Sequence, residues 1–153
     1  MVLEITKEPD KVLRERSKEV DKKEMTNPEM KKLIEDMKET MFAANGIGIA
    51  APQVDKGIRL IIVLGSEGPI TVFNPEIVKK SLRGVDSEEG CLSVPKKYGT
   101  VKRCRTLTVR GFNEHGEKFT AKTDGMTAII FQHEIDHLNG TLFIDKAKKV
   151  HAI

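Results

Sequence analysis

Between Asn27 and Ala44, apolar residues recur every three or four positions. Met30, Leu33, Ile34, Met37 and Met41 form one stripe, and lysines and acids fill the other face. That spacing predicts an amphipathic helix ending near Ala44. Asn27-Pro28 is its start signal, because an asparagine side chain caps first-turn amides and proline lacks only an N–H that would go unpaired. A second helix is predicted after Asp124-Gly125, where Met126, Ile129, Ile130, His133 and His137 return at helical spacing. Gly140 is placed to end it in the left-handed conformation. Between the helices the period shortens, and strands are predicted at 58–64, 69–73, 76–82, 99–102, 106–112 and 117–122. Asn113-Glu114-His115-Gly116 reads as the turn joining the last two strands, with His115 exposed at its tip. The layout is α+β.

Composition adds bounds to this picture. With 153 residues, 39% hydrophobic and 32% charged, the chain is expected to form a single domain over 1–153 that needs no staples. Its two cysteines make no disulfide framework, which suits a reducing, cytoplasmic setting of bacterial type. An organellar location stays open, because processing removes such leaders. No apolar run is long enough to cross a membrane, and a net charge of +3 is too slight to argue for specific nucleic-acid binding.

The chemistry is concentrated in three segments. Gln132-His133-Glu134-Ile135-Asp136-His137-Leu138-Asn139-Gly140 contains H-E-x-x-H. Two histidines four apart share one helix face and can hold one metal ion, with Glu134 beside them as a general base. Ile129 and Ile130, one turn earlier, would give that ion an apolar wall. A catalytic site of this kind wants a third protein ligand. The long metallopeptidase form H-E-x-x-H-x-x-G-x-x-H fails at Phe143, and Asp145 and His151 match no known spacing. Cys91, in the turn-prone Glu88-Glu89-Gly90-Cys91-Leu92-Ser93, is a better donor, and a Cys-His-His set suits a borderline-soft divalent ion. Cys104 is then a spare structural thiol. The third segment, Asn45-Gly46-Ile47-Gly48-Ile49-Ala50-Ala51-Pro52-Gln53, alternates glycine with aliphatic residues. Such glycines would let a substrate backbone come close, and the Gln53 amide can donate to a developing oxyanion.

Taken in order, G-I-G-I-A-A-P-Q, E-G-C-L-S and Q-H-E-I-D-H-L-N-G resemble the peptide deformylase family closely, and the likeness reaches 9–14 and 73–75. The resemblance implies that family's own fold, with antiparallel sheets around a central metal-binding helix. It also implies removal of the formyl group from the N-terminal formylmethionine of newly made polypeptides. By motif, Cys91, His133 and His137 would be the metal ligands and Glu134 the acid/base. Gln53 and the backbone N–H of Leu92 would form the oxyanion hole. Ile47, Met126, Ile129 and Ile130 are expected to wall a slot for the methionine side chain, with simple core packing as the alternative. Gly48 and Gly90 would offer backbone to an extended peptide. Arg103 is expected either to pair with Glu89 near the pocket or to lie solvated on a strand. The family implies ferrous iron as native ion, with zinc or another transition metal as a possible occupant. A transient ribosome contact is expected at most, since the tail stops soon after the histidine motif. Two other readings stay open: an H-E-x-x-H metallopeptidase using Asp145 or His151, and a metal-binding protein without catalysis.

Overall fold

The computed structural model describes all of residues 1–153. Helix α1 (Pro28–Ala43) starts where Asn27 accepts a hydrogen bond from the Met30 N–H at 2.8 Å. Ile34, Met37 and Met41 are buried, and Met30 and Leu33 pack at the edge of the same cluster.

Strand β1 (Gly48–Ala50) begins a five-stranded antiparallel sheet in the order β1-β2-β3-β6-β7. Its partners are β2 (Leu60–Gly65), β3 (Gly68–Lys80), β6 (Thr106–Phe112) and β7 (Lys118–Asp124). The run Leu60-Ile61-Ile62-Val63 is apolar throughout because both faces of β2 are covered. Leu60 and Ile62 join the α1 cluster, whereas Ile61 and Val63 join a cluster with Phe131, Ile135 and Leu138. Strands β4 (Gly84–Cys91), β5 (Val94–Cys104) and β8 (Val150–Ala152) form a second, three-stranded sheet. Leu13, Val94, Val101, Leu142 and Phe143 make a third cluster, the last of these opening the short helix α3 (Phe143–Lys146).

Several strand limits differ from the sequence reading. The segments 69–73 and 76–82 are one strand, β3, ending at Lys80 and broken in register between Phe73 and Glu76. Pro75 has no N–H for the ladder there, and Asn74, at φ +50°, turns its amide to bond both ways with the backbone of Val20. The expected 99–102 is the middle of a longer β5, and β1, β4 and β8 carried too little β-branched or aromatic signal to be predicted. The predicted turn is present. Asn113 Oδ1 accepts from the His115 and Glu117 N–H groups, and His115 is exposed.

Helix α2 (Gly125–Leu138) packs against strands of both sheets. Its C-terminus is fixed three times over. The Gly140 N–H donates to the His137 carbonyl at 3.1 Å and the Thr141 N–H to that of Asp136 at 2.9 Å, the paired bonds of a Schellman ending. The Leu138 carbonyl then takes the Ser17 N–H at 2.8 Å and the buried Arg59 guanidinium at 3.0 Å. Gly140 sits at φ +76°, and a Cβ there would lie 2.5 Å from the Arg14 carbonyl oxygen. Gly140→Ala should therefore cost about 2 kcal/mol or more in urea unfolding, from the left-handed backbone and the backbone clash together. An unchanged midpoint would refute this account. No helix is long and apolar enough to cross a membrane.

Candidate metal centre and active site

Cys91 closes β4, and His133 and His137 lie one turn apart on α2. Their ligand atoms all fall within 4.8 Å of one another, with Cys91 Sγ 3.3 Å from His137 Nε2. Donors about 2.0–2.3 Å from one ion in a tetrahedron stand roughly 3.3–3.7 Å apart, so this cluster is a little open but of the right size. The two imidazoles meet edge to face with centroids 5.1 Å apart. The alternative third ligands are engaged elsewhere. Asp145 pairs with Arg14 and accepts from the Leu142 N–H, and His151 stacks on Tyr98.

Electrostatics favour a cation in the cluster. Burial alone would push His133 down, but the Cys91 thiol and the carboxylates of Glu89 and Glu134 outweigh it and raise its pKa to about 10. His137 is held well below its ordinary value by burial and by the neighbouring His133 and Arg103, so the ring stays neutral and keeps one nitrogen lone pair for coordination. Its Nδ1, like Glu134 Oε1, is buried with no hydrogen-bond partner. An unsatisfied carboxylate oxygen beside one thiol and two imidazoles fits a site for a metal ion and its water.

Behind the donors runs a chain of charge. His133 Nδ1 lies 2.8 Å from Glu89 Oε1, which also accepts from Arg103 Nη2 at 2.7 Å. Arg103 Nε reaches the other Glu89 oxygen at 2.8 Å, and its Nη1 donates to Asp136 at 2.6 Å. Lys146 completes the chain on the surface, 3.0 Å from Asp136. Burial alone would raise the Glu89 pKa, but the Arg103 and His133 bonds outweigh it and bring the value down to about 2. A fixed carboxylate on Nδ1 sets the His133 ring so that Nε2 faces the cluster. Arg103 is thus 3% exposed rather than solvated, because its strand position faces α2 and two acids, and it does not line the cavity. Of the two expectations for Arg103, the pairing with Glu89 is the one found.

The cavity itself measures about 490 Å³. Cys91, Gln53, His133 and Glu134 are among its polar lining, and Ile47, Leu92, Met126, Ile129 and Ile130 line it with hydrocarbon. Gly48 and Gly90 also line it. Of the helical stripe read from the sequence, Ile130 both lines the cavity and packs in the core, and the residues that otherwise fill the core lie outside that stripe. Met126 and Ile129 turn to this cavity, while Ala128, Phe131, Ile135 and Leu138 face the core. Met126 is 63% exposed and Ile47 51%, a hydrocarbon surface with no partner in the chain.

Gln53 is held at both ends of its amide. The Ala50 N–H donates to its Oε1 at 2.9 Å, so its Nε2 must point to Ser93 Oγ at 3.2 Å and Cys91 Sγ at 3.6 Å. Leu92 occupies the two-residue turn between β4 and β5, and its N–H joins no backbone bond. Gly48 supplies room of another kind. A Cβ on it would stand 2.5 Å from Glu134 Oε2 and 2.8 Å from Ile130 Cγ2. Sequence reasoning passed over Ser93 and Asp136, although both stand inside the motifs. Asp136 points off the histidine face, so metal-ligand spacing gave it no role. Gln132 was also passed over. Its side chain pairs with the N–H and carbonyl of Cys104 at 2.8 and 2.9 Å, joining α2 to the end of β5.

Comparison with known proteins agrees with this arrangement. The sequence model described as Polypeptide deformylase matches residues 2–152. The peptide deformylase of Carboxydothermus hydrogenoformans is 47% identical over 92% of this chain and 90% of its own. That of Halothermothrix orenii is 46% identical over 97% and 96%. Among solved structures, the actinonin-bound class I type b peptide deformylase of Acinetobacter baumannii superposes with a TM-score of 0.92 at 38% identity, covering 97% of this chain and 99% of that one. The Thermotoga maritima peptide deformylase gives 0.92 at 39% identity, with the same coverage. A match along nearly the whole sequence, joined to a near-complete superposition, places the chain in the polypeptide deformylase family.

Proposed function

We propose that residues 1–153 act as one catalytic unit, a metal-dependent hydrolase that removes the formyl group from the N-terminal formylmethionine of new polypeptides in the cytoplasm. The observation that carries this reading is the buried, unpartnered Glu134 carboxylate oxygen beside the Cys91-His133-His137 cluster. A divalent transition ion held there, ferrous iron or zinc, would acidify a water to a pKa of roughly 7 and polarise the formyl oxygen.

Glu134 takes the proton of the attacking water and returns it to the departing amine. Burial and the nearby Glu89 and Asp136 charges raise its pKa to about 7, which suits a group that must both accept and release a proton near neutrality. Gln53 Nε2 and the Leu92 N–H stand on the Cys91 side of the cavity as donors to the oxygen that gains charge. Because the Ala50 N–H already fixes the Gln53 amide, this donor needs no reorientation as charge develops. The methionine side chain fits the surface of Ile47, Met126, Ile129 and Ile130, where burying it contributes about 1.5–3 kcal/mol. Strands β1 and β4 are terminal in their sheets, so Gly48 and Gly90 lie on edges able to pair with an extended peptide.

Two substitutions probe these roles. Gln53→Ala should fold and keep its metal but lose about a hundredfold or more in kcat, the usual cost of one oxyanion donor. Gly48→Ala places a methyl group where the Glu134 carboxylate lies, so kcat should fall by a comparable factor while metal content stays near one ion per chain. Full turnover in either variant would remove that residue from the mechanism. The reading as a whole is tested by formate release from a formyl-Met peptide and its acetyl-Met twin, with ferrous-loaded protein prepared without oxygen. Formate from the first alone supports it. No formate at full metal occupancy overturns it.

A further inference from the structure

The two oxyanion donors come from different sheets. Gln53 lies in the one-turn helix Ala51–Val54 that follows β1, and Leu92 and Ser93 form the turn between β4 and β5. A stretch near the N-terminus ties the two together. The Thr6 N–H donates to the Gln53 carbonyl at 2.7 Å, and the Glu8 N–H to the Ser93 carbonyl at 2.8 Å. Two residues of chain span at most about 7 Å, so these carbonyls stay close while both bonds hold. Both side chains are buried, Ser93 completely. The Ser93 hydroxyl makes one hydrogen bond within the chain, accepting from Gln53 Nε2 at 3.2 Å.

A side-chain amide carries two N–H groups, and the acceptor of one decides where the other points. The Ala50 N–H holds Gln53 Oε1, but one bond to the oxygen leaves the NH2 group free to swing about it. The Ser93 hydroxyl supplies the second fixed point. Two points set the plane of the amide and leave one N–H, on the side of Cys91 Sγ at 3.6 Å, for the cavity. Resting on the deformylase reading proposed above, we infer that Ser93 is the positioning residue of the oxyanion donor. It does not line the cavity, so it acts through Gln53 alone. Ser93→Ala should lower kcat by about three- to tenfold, the worth of one neutral hydrogen bond, and leave KM near its native value. The loss is smaller than that of Gln53→Ala, because the donor is still present and has lost only its aim.

The test measures formate from formyl-Met-Ala-Ser in the native chain, Ser93→Ala, Gln53→Ala and the double variant, each with its metal content and urea midpoint. Ser93→Ala should lose kcat at unchanged metal content in the native background, and should lose nothing further once Gln53 is replaced. A serine that served packing alone would cost the same in both backgrounds. That outcome, or a loss of kcat that tracks a loss of metal, overturns the inference. A second readout needs no turnover. In NMR spectra of the zinc-loaded, isotope-labelled chain, the two Gln53 amide protons, identified by their absence from Gln53→Ala, should be well separated, and in Ser93→Ala they should converge. Equal separation in both proteins overturns the inference and leaves the deformylase reading standing. No formate from the native chain at full metal occupancy overturns that reading and the role of Ser93 with it, so the two failures are distinguishable.

Discussion

Glu134→Ala is expected to lower kcat by about 10³- to 10⁴-fold while the protein still folds and still binds its ion. The geometry makes this a clean substitution. Glu134 is 4% exposed and one of its oxygens bonds to nothing in the chain, so its removal leaves no severed hydrogen bond behind. It is not among the three ligand atoms that cluster within 4.8 Å, so metal content should hold. Stability in the metal-free protein should also change with pH in a defined direction. The folded pKa of Glu134 is raised from 4.5 to about 7, so the folded state holds a proton that the unfolded state gives up. Its contribution is complete below about pH 4.5 and is lost as pH rises through about 7. Urea midpoints of the metal-free native chain should therefore lose more between pH 4.5 and 7.5 than those of the variant. Equal slopes would show that the buried carboxylate is not strained, and retained turnover would end its role as acid/base.

Arg103→Met should be strongly destabilising, costing about 3–5 kcal/mol, because it leaves two carboxylates facing each other without their cation. Glu89 and Asp136 are the carboxylates, both within hydrogen-bond distance of the guanidinium. For a chain of this length the melting temperature should drop by roughly 6–20 °C. The dependence on acid separates this cause from lost packing. Glu89 titrates at about 2 in the fold against an ordinary 4.5, so its contribution is present above about pH 4.5 and is lost as pH falls toward 2. The gap between native and variant melting temperatures should shrink over that window in calorimetry. A gap of constant size would assign the loss to volume instead. Metal affinity should weaken too, by about tenfold or more, since Glu89 would no longer be held against the His133 ring.

Some of this was readable in the residues and some was not. Helix α1 was legible because its stripe, its Asn27 cap and Pro28 all agree. Strand β4 was not, because Asp86, Ser87, Glu88 and Glu89 give it the polarity of a loop, and it lies at a sheet edge where such residues are tolerated. The join within β3 depends on Asn74 reaching Val20, 54 residues away, which no local pattern reports. At the site, Cys91, His133 and His137 could be picked out by residue type and spacing, and the structure brings their ligand atoms together. The wiring behind them was largely hidden. Arg103 could have been a surface residue on a strand, and only the packing of α2 against β5 shows it enclosed between Glu89 and Asp136. Ser93 and Gln132 act through contacts that no spacing rule encodes.

Open sheet edges are also the surfaces through which β proteins aggregate. On the function proposed above, the protein would meet unfolded chains, rich in strand-forming segments, and must not be drawn into their assemblies. Here β1 is three residues long, too short for another sheet to grip, and β4 carries the exposed, unpaired Glu88, a charge that a neighbouring sheet would have to desolvate. An exposed ladder that is brief on one side and charged on the other suits one passing strand and resists a growing stack. The same backbone that could receive a client is thereby protected from becoming the seed of a fibril.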